Sequence, residues 1–206
     1  MKTQVLFSLF LIGTLFLGCK KDAIYYTLEG VVIDQSAAQP LIGATVSLFT
    51  APAGSSSLTL VQSVQSGSDG SYSFQLQRDK IASVVLKAAK NNYFEITKSY
   101  TLDELSVENS NQTDFAIYAK SWVRLRFMGD GIKDVKYIRQ VGLNNCAECC
   151  PSTEQFVYNA IDESTYCINY GNGEYKIYFN ELNSINQGPI SVVTTPFDTT
   201  ELLISY

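Results

Sequence analysis

The residues with the most chemistry to offer are four cysteines in the C-terminal half, Cys146, Cys149, Cys150 and Cys167, spaced Cys-x-x-Cys-Cys with the fourth further on. Four thiolates are an established zinc ligand set. A Cys-x-x-Cys pair can also be redox-active, normally where a helix start lowers the thiol pKa, but no helical pattern begins at Cys146. Two disulfides are the expected state in an exported protein, which leaves no metal or cofactor to be held. Four cysteines allow three pairings. A direct Cys149 to Cys150 bond would strain a small ring, so Cys146 is expected to join Cys149 or Cys150, with the other tied to Cys167. Such a bridge would staple the loop between Gly142 and Thr153 to the Cys167 strand.

The chain contains no histidine. That excludes Ser-His-Asp and Cys-His catalysis and any metal site that needs imidazole. Carboxylates are the other candidates: Asp103-Glu104, Asp162-Glu163, and Asp198 with Glu201. Glycosidase chemistry needs two carboxyls at a defined separation, whereas adjacent acids on a strand point to opposite faces. These pairs read as solvated turns, and no catalytic residue is expected; a carboxylate- or thiol-based hydrolase is the enzyme alternative. Asp69, Asp130 and Asp134 lack the alternating ligand run of a calcium loop. Trp122 and the 13 tyrosines could stack on sugar rings, which makes Trp122 the candidate ligand contact, although aromatic residues are common in strands anyway.

The elements that would position these groups are strands. Tyr26 to Asp34 is rich in β-branched residues, and a polar turn follows to Pro40. Val46 and Leu48 alternate with Thr45 and Ser47, and Tyr72, Phe74 and Leu76 alternate with Ser71, Ser73 and Gln75. Between them lie a Pro/Gly/Ser loop, a strand over Leu58 to Gln65, and a hairpin turn at Gly67-Ser68-Asp69-Gly70. Ser83 to Ala89 and Asp114 to Tyr118 complete this half, with a turn at Asn91 to Phe94 and a less regular connection from Tyr100 to Val107. No segment sustains helical periodicity, so short strands and turns predict a sandwich.

The combination Gly30-Val31-Val32-Ile33-Asp34, Pro40-Leu41-Ile42-Gly43-Ala44-Thr45-Val46 and Asp69-Gly70-Ser71-Tyr72 resembles the carboxypeptidase regulatory-like domain. The resemblance covers residues 26–118. It implies a transthyretin-like, seven-stranded β-sandwich of the kind that serves as a structural or adhesive accessory, with those residues building the fold and not doing chemistry.

A second unit is expected over residues 120–206. Val123, Leu125 and Phe127 alternate with Trp122, Arg124 and Arg126, and further strands are expected at Val135 to Val141, Glu154 to Ile161, Thr165 to Tyr170, Glu174 to Asn180, Ile190 to Thr194 and Leu202 to Ser205. The fold class is therefore all-β, two consecutive small β-sandwich domains, the first transthyretin-like or Ig-like.

The fifth cysteine, Cys19, stands apart. Lys2, the apolar run from Val5 to Leu17 and small Gly18 have the layout of a secretory signal, too short to span a bilayer, which takes about 20 apolar residues. Leu17-Gly18-Cys19 resembles a bacterial lipoprotein lipobox, with Phe16 where leucine is usual. The resemblance implies residues 1–18 as a cleaved signal, lipidation at Cys19 and residues 19–25 as tether. Lys20, Lys21 and Asp22 are similar to the sorting residues that send some lipoproteins to the outer membrane and its cell-surface side.

Removing Lys2 with the leader takes the formal charge from −5 to −6. An acidic surface disfavours nucleic acid and gives no electrostatic pull toward anionic lipid, so membrane attachment would rest on acyl chains. The expectation is a non-enzymatic lipoprotein of the outer membrane acting as a binding or scaffold module, with an envelope protein or glycan as partner. The alternative binding role is a carbohydrate- or peptide-capturing accessory of nutrient uptake.

Overall fold

A computed structural model describes residues 23–55, 57–79 and 81–206; Cys19 and the leader lie outside the described residues. Within them the chain forms strands β1 to β16 and a single 3-10 turn at Leu102–Glu104, arranged as two β-sandwiches whose cores share no residue.

In the first sandwich β1 (Tyr25–Asp34) is central. β5 (Ser71–Gln77) pairs antiparallel along it, and the short β2 (Gln39–Pro40) continues that side. On its other edge β8 (Asn111–Gln112) and β9 (Phe115–Ile117) run parallel to β1 as two pieces of one interrupted strand. The facing sheet has the order β4 (Thr59–Gln65), β3 (Thr45–Pro52), β6 (Ile81–Ala89), β7 (Ile96–Thr101). The period-2 pattern read from the sequence is the burial pattern observed: Tyr72, Phe74 and Leu76 point inward with Leu28, Val32, Val46, Leu48, Leu86 and Phe115, because a pleated strand with one wet face must alternate.

Gly30 takes an inward position that no larger residue could fill: a Cβ there would stand 1.9 Å from the Thr113 carbonyl oxygen. The chain crosses β1 at this point between β8 and β9, with Thr113 N–H donating to the Glu29 carbonyl at 2.7 Å and the Tyr72 hydroxyl donating to the Thr113 carbonyl. Gly70, at φ +78°, turns the β4–β5 hairpin where a Cβ would press on the Val32 carbonyl oxygen at 2.5 Å. Both glycines are therefore conditions of close backbone approach.

In the second sandwich the sheet β13 (Asp162–Tyr170), β10 (Lys120–Met128), β16 (Thr199–Ser205) faces the sheet β12 (Gln155–Val157), β11 (Val135–Val141), β14 (Glu174–Glu181), β15 (Gln187–Val193). Val123, Leu125 and Phe127 pack inward against Val135, Tyr137, Tyr175, Ile177, Leu202 and Ile204.

Three stretches differ from the sequence reading. Ile96–Thr101 is a strand where a turn and an irregular connection were expected; it lies at a sheet edge and buries nothing fully, so no alternation advertises it. The strand expected over Glu154 to Ile161 is confined to Gln155–Val157 and is followed by Asn159 at φ +49°. β13 starts earlier, at Asp162, where it pairs in register with Met128 of β10.

The strand registers give the first sandwich two distinct poles. One holds the start of β1, the end of β3, the starts of β4 and β6 and the end of β7. The other holds Asp34, the β4–β5 hairpin and the exit through Ala119 into β10. The second sandwich is thus attached at the pole opposite the chain's entry.

Candidate functional site

The cysteines form two disulfides, Cys146–Cys149 and Cys150–Cys167, one of the arrangements the sequence left open. With both closed, none of the four supplies a thiolate to a metal. They differ sharply in setting. Cys167 is fully buried in the second core and Cys150 is nearly so, whereas Cys146 lies exposed at the tip of the loop. That loop runs along the free edge of β13, where Ile168 N–H donates to the Glu148 carbonyl at 3.2 Å. Its entrance is held by Asn169 and Arg139. The buried Asn169 side chain accepts from Leu143 N–H at 3.2 Å and donates to the Gly173 and Glu174 carbonyls. Arg139 donates to the Leu143 carbonyl and the Asn144 side chain. The result is a rigid cap whose anchoring bond is inside and whose second bond faces solvent.

Trp122 is half-buried on the outer face of β10 beside a ladder of charges. Arg126 makes a two-pronged contact to Asp162 at 2.8 and 2.7 Å, Arg124 Nε donates to the Ser164 hydroxyl, and Glu201 of β16 lies 3.3 Å from Arg124 and 3.7 Å from Arg126. The cross-strand register sets Arg124 directly opposite Glu201 and puts Asp162, Ser164 and Glu201 at diagonal positions within reach of the two arginines. Arg126 hydrogen-bonded to Asp162 holds that carboxyl below its ordinary pKa and raises its own. Two cavities, of about 590 Å³ beside Glu29, Gly30 and Tyr72 and about 390 Å³ beside Lys133 and Glu181, exclude Trp122 from their walls. The structure does not bring Trp122 together with a group of tyrosines in either hollow.

The acids singled out from the sequence serve as caps and ion-pair partners. Glu104 accepts from Thr101 N–H at 2.6 Å and from its hydroxyl, Asp198 accepts from Thr199 N–H, and Asp130 from Ile132 N–H. Asp69 accepts from the Ser71 hydroxyl at 2.6 Å and N–H at 3.0 Å, contacts that lower its pKa. Asp134 accepts from Asn159 N–H. None of these pairs converges on a common hollow as a general acid and base would.

A carboxylate the sequence reading did not single out, Glu181, is 2% exposed and holds Lys133 Nζ at 2.8 Å on one oxygen and the Asn186 amide at 2.9 Å on the other. The Lys133 contact, seconded by Asn186, depresses its pKa, and Lys133 is raised in return. It sits at the last inward position of β14, one residue past the Glu174 to Asn180 stretch read as strand from the sequence.

The largest feature missed in the sequence is the joint between the sandwiches. Asp34, 4% exposed, accepts from Ser36 N–H at 2.8 Å and Ala37 N–H at 3.2 Å, which folds a turn after β1. Ser36 then receives Ala119 N–H on its hydroxyl and the Asn172 amide, from the second sandwich, on its carbonyl at 2.6 Å. Around this turn Tyr93 meets Phe197 edge-on at 5.3 Å, Phe94 meets Tyr170 at 5.1 Å, and Tyr118 meets Tyr170 at 4.4 Å. Backbone bonds from Gly171 to Ala119 and from Phe197 to Lys120 complete it. These aromatic residues come from four separate stretches of chain, so no local spacing announces the cluster.

No family model and no curated protein matches the chain. Among solved structures, similarity extends to the TIE protein of Bacillus anthracis (TM-score 0.38, 12% identity, 88% of this chain and 34% of that one). It also extends to the shaft pilin SpaA of Lactobacillus rhamnosus GG (0.36, 9%, 89% and 98%) and to GBS52, a minor pilin of Streptococcus agalactiae (0.35, 11%, 87% and 94%). The chain spans about a third of the TIE protein.

Proposed function

We propose that this protein is a lipid-anchored, non-enzymatic component of the bacterial cell envelope, in which the first sandwich is a spacer and the second a presented binding or scaffold module. The observation that carries the reading is the pole-to-pole arrangement: β1 enters at one end of the first sandwich and the chain leaves for the second at the other. A ten-residue strand spans about 33 Å at 3.3 Å per residue, so with the first sandwich upright on a lipid at Cys19 the second would stand about that far from the bilayer. The buttressed joint supports the same reading, since a spacer that bent freely would not set a distance. The acids serving as caps and ion pairs favour a binding role over a hydrolytic one.

On this reading Cys19 carries the acyl chains, Lys20, Lys21 and Asp22 direct sorting to the outer membrane, and the partner is an envelope protein or glycan. Replacing Cys19→Ser tests the anchor. The protein is expected to leave the membrane fraction and lose incorporation of labelled palmitate; unchanged partition with membranes would overturn the proposal.

A further inference from the structure

We propose that the entry pole of the first sandwich is a membrane-resting face, which lies on the headgroup layer of the same zwitterionic bilayer that holds the Cys19 lipid. The inference rests on the lipid-anchor reading above. Four large apolar side chains stand out at this pole: Ile24 at 46%, Tyr25 at 47%, Leu58 at 50% and Val107 at 42% exposure. They come from three separate segments that the register brings to one end. Tyr25 opens β1 opposite Gln77, Leu58 precedes β4 where β3 runs out, and Val107 follows β7. The loop carrying Val107 is drawn against the start of β1 by the Asn111 amide, which donates to the Thr27 and Ser106 carbonyls at 2.9 Å, and Ile24 is fixed by Arg78 N–H donating to its carbonyl at 2.8 Å.

Chain length supplies the occupant. Cys19 and Ala23 are four residues apart, and at most about 3.6 Å per residue the lipidated residue can stand no more than roughly 14 Å from the start of this pole. A face tethered that closely meets the bilayer before any other surface. Exposed aliphatic side chains beside a tyrosine suit the headgroup boundary, where amphipathic rings settle. The charges are close to balanced: Asp79, Asp103, Glu104 and Glu108 ring the pole with Arg78 among them, and the sequence adds Lys80 beside Asp79 and Lys20, Lys21 and Asp22 in the tether, a near-neutral set that suits zwitterionic headgroups.

The test uses the full lipidated protein in phosphatidylethanolamine–phosphatidylcholine vesicles that carry a headgroup nitroxide. Trp122 is the single tryptophan, so Trp122→Phe gives a dark background into which Leu58→Trp places a reporter at the entry pole and Ser68→Trp one at the far hairpin. Both proteins are expected to float with the vesicles, with Leu58→Trp losing most of its emission and Ser68→Trp keeping it. Tyr25→Trp supplies the same readout should Leu58→Trp fail to fold. Floating protein with equal emission from both poles would overturn the resting face alone, and would do so equally if a co-purified protein covered the pole. Protein that fails to float would overturn the anchor and the face together.

Discussion

The Tyr93 hydroxyl donates a 2.8 Å hydrogen bond to the buried Asp34 carboxylate, while the ring of the same tyrosine rests edge-on against Phe197 of the second sandwich. One residue thereby ties the turn that ends β1 to the neighbouring domain, and Asp34 organises both sides of the joint. Asp34→Ala removes the acceptor for Ser36, Ala37 and Tyr93 at once. The expected outcome is a broader distance distribution between spin labels placed on the two sandwiches; an unchanged distribution would show that the aromatic contacts suffice.

Alkaline pH should loosen the same joint. Burial first, and the bond to Asp34 second, push Tyr93 from 10.0 up to about 12. A group whose folded pKa is raised contributes stability that is complete below its unfolded pKa and lost as pH climbs through the folded one. Its contribution is therefore intact below pH 10.0 and disappears toward about 12. Thermal melts across that window are expected to fall more steeply for the natural protein than for Tyr93→Phe.

The two disulfides should separate under mild reduction. Cys146–Cys149 closes a short loop in solvent, and Cys150–Cys167 closes a longer one inside the core. Alkylation and mass analysis during titration with a phosphine are expected to label Cys146 and Cys149 first. Loss of the buried bond, in the pair Cys150→Ala with Cys167→Ala, is expected to cost about 3 kcal/mol, as loop-closure entropy predicts for a loop of this length.

Gly30→Ala is expected to cost about 2 kcal/mol or more, because overpacking at a fixed backbone crossing forces strands apart. The Cβ would lie 1.9 Å from the Thr113 oxygen and 2.6 Å from its carbonyl carbon. Denaturant unfolding measures it. A loss within experimental error would mean that the β8–β9 edge can lift away from β1 freely.

Glu181→Gln tests the buried ion pair through its pH dependence. Lys133 and Asn186 lower the Glu181 pKa beneath 4.5, so its contribution is present above that value and is lost as pH falls through the depressed folded pKa. The variant is expected to melt below the natural protein at neutral pH, with the gap closing as pH falls below 4.5 and through the depressed folded pKa. A gap that persists in acid would assign the effect to packing.

Much of the architecture is written locally. Alternation in Tyr72 to Leu76 and in Val123 to Phe127 places those strands and their inward faces correctly, because a strand with one wet side has to repeat every second residue. The absence of histidine and the crowding of four cysteines also narrow the chemistry without any coordinates. Tertiary structure alone decided which cysteines pair, that Trp122 lies in a charge ladder, and that Glu181 is buried. It also decided that Asp34, Tyr93, Tyr118, Tyr170 and Phe197 meet. These outcomes depend on which strands become neighbours and in what register, and register is a property of the assembled sheet: the residues that meet at the joint are separated by long stretches of chain, and nothing in the sequence near any one of them records the others.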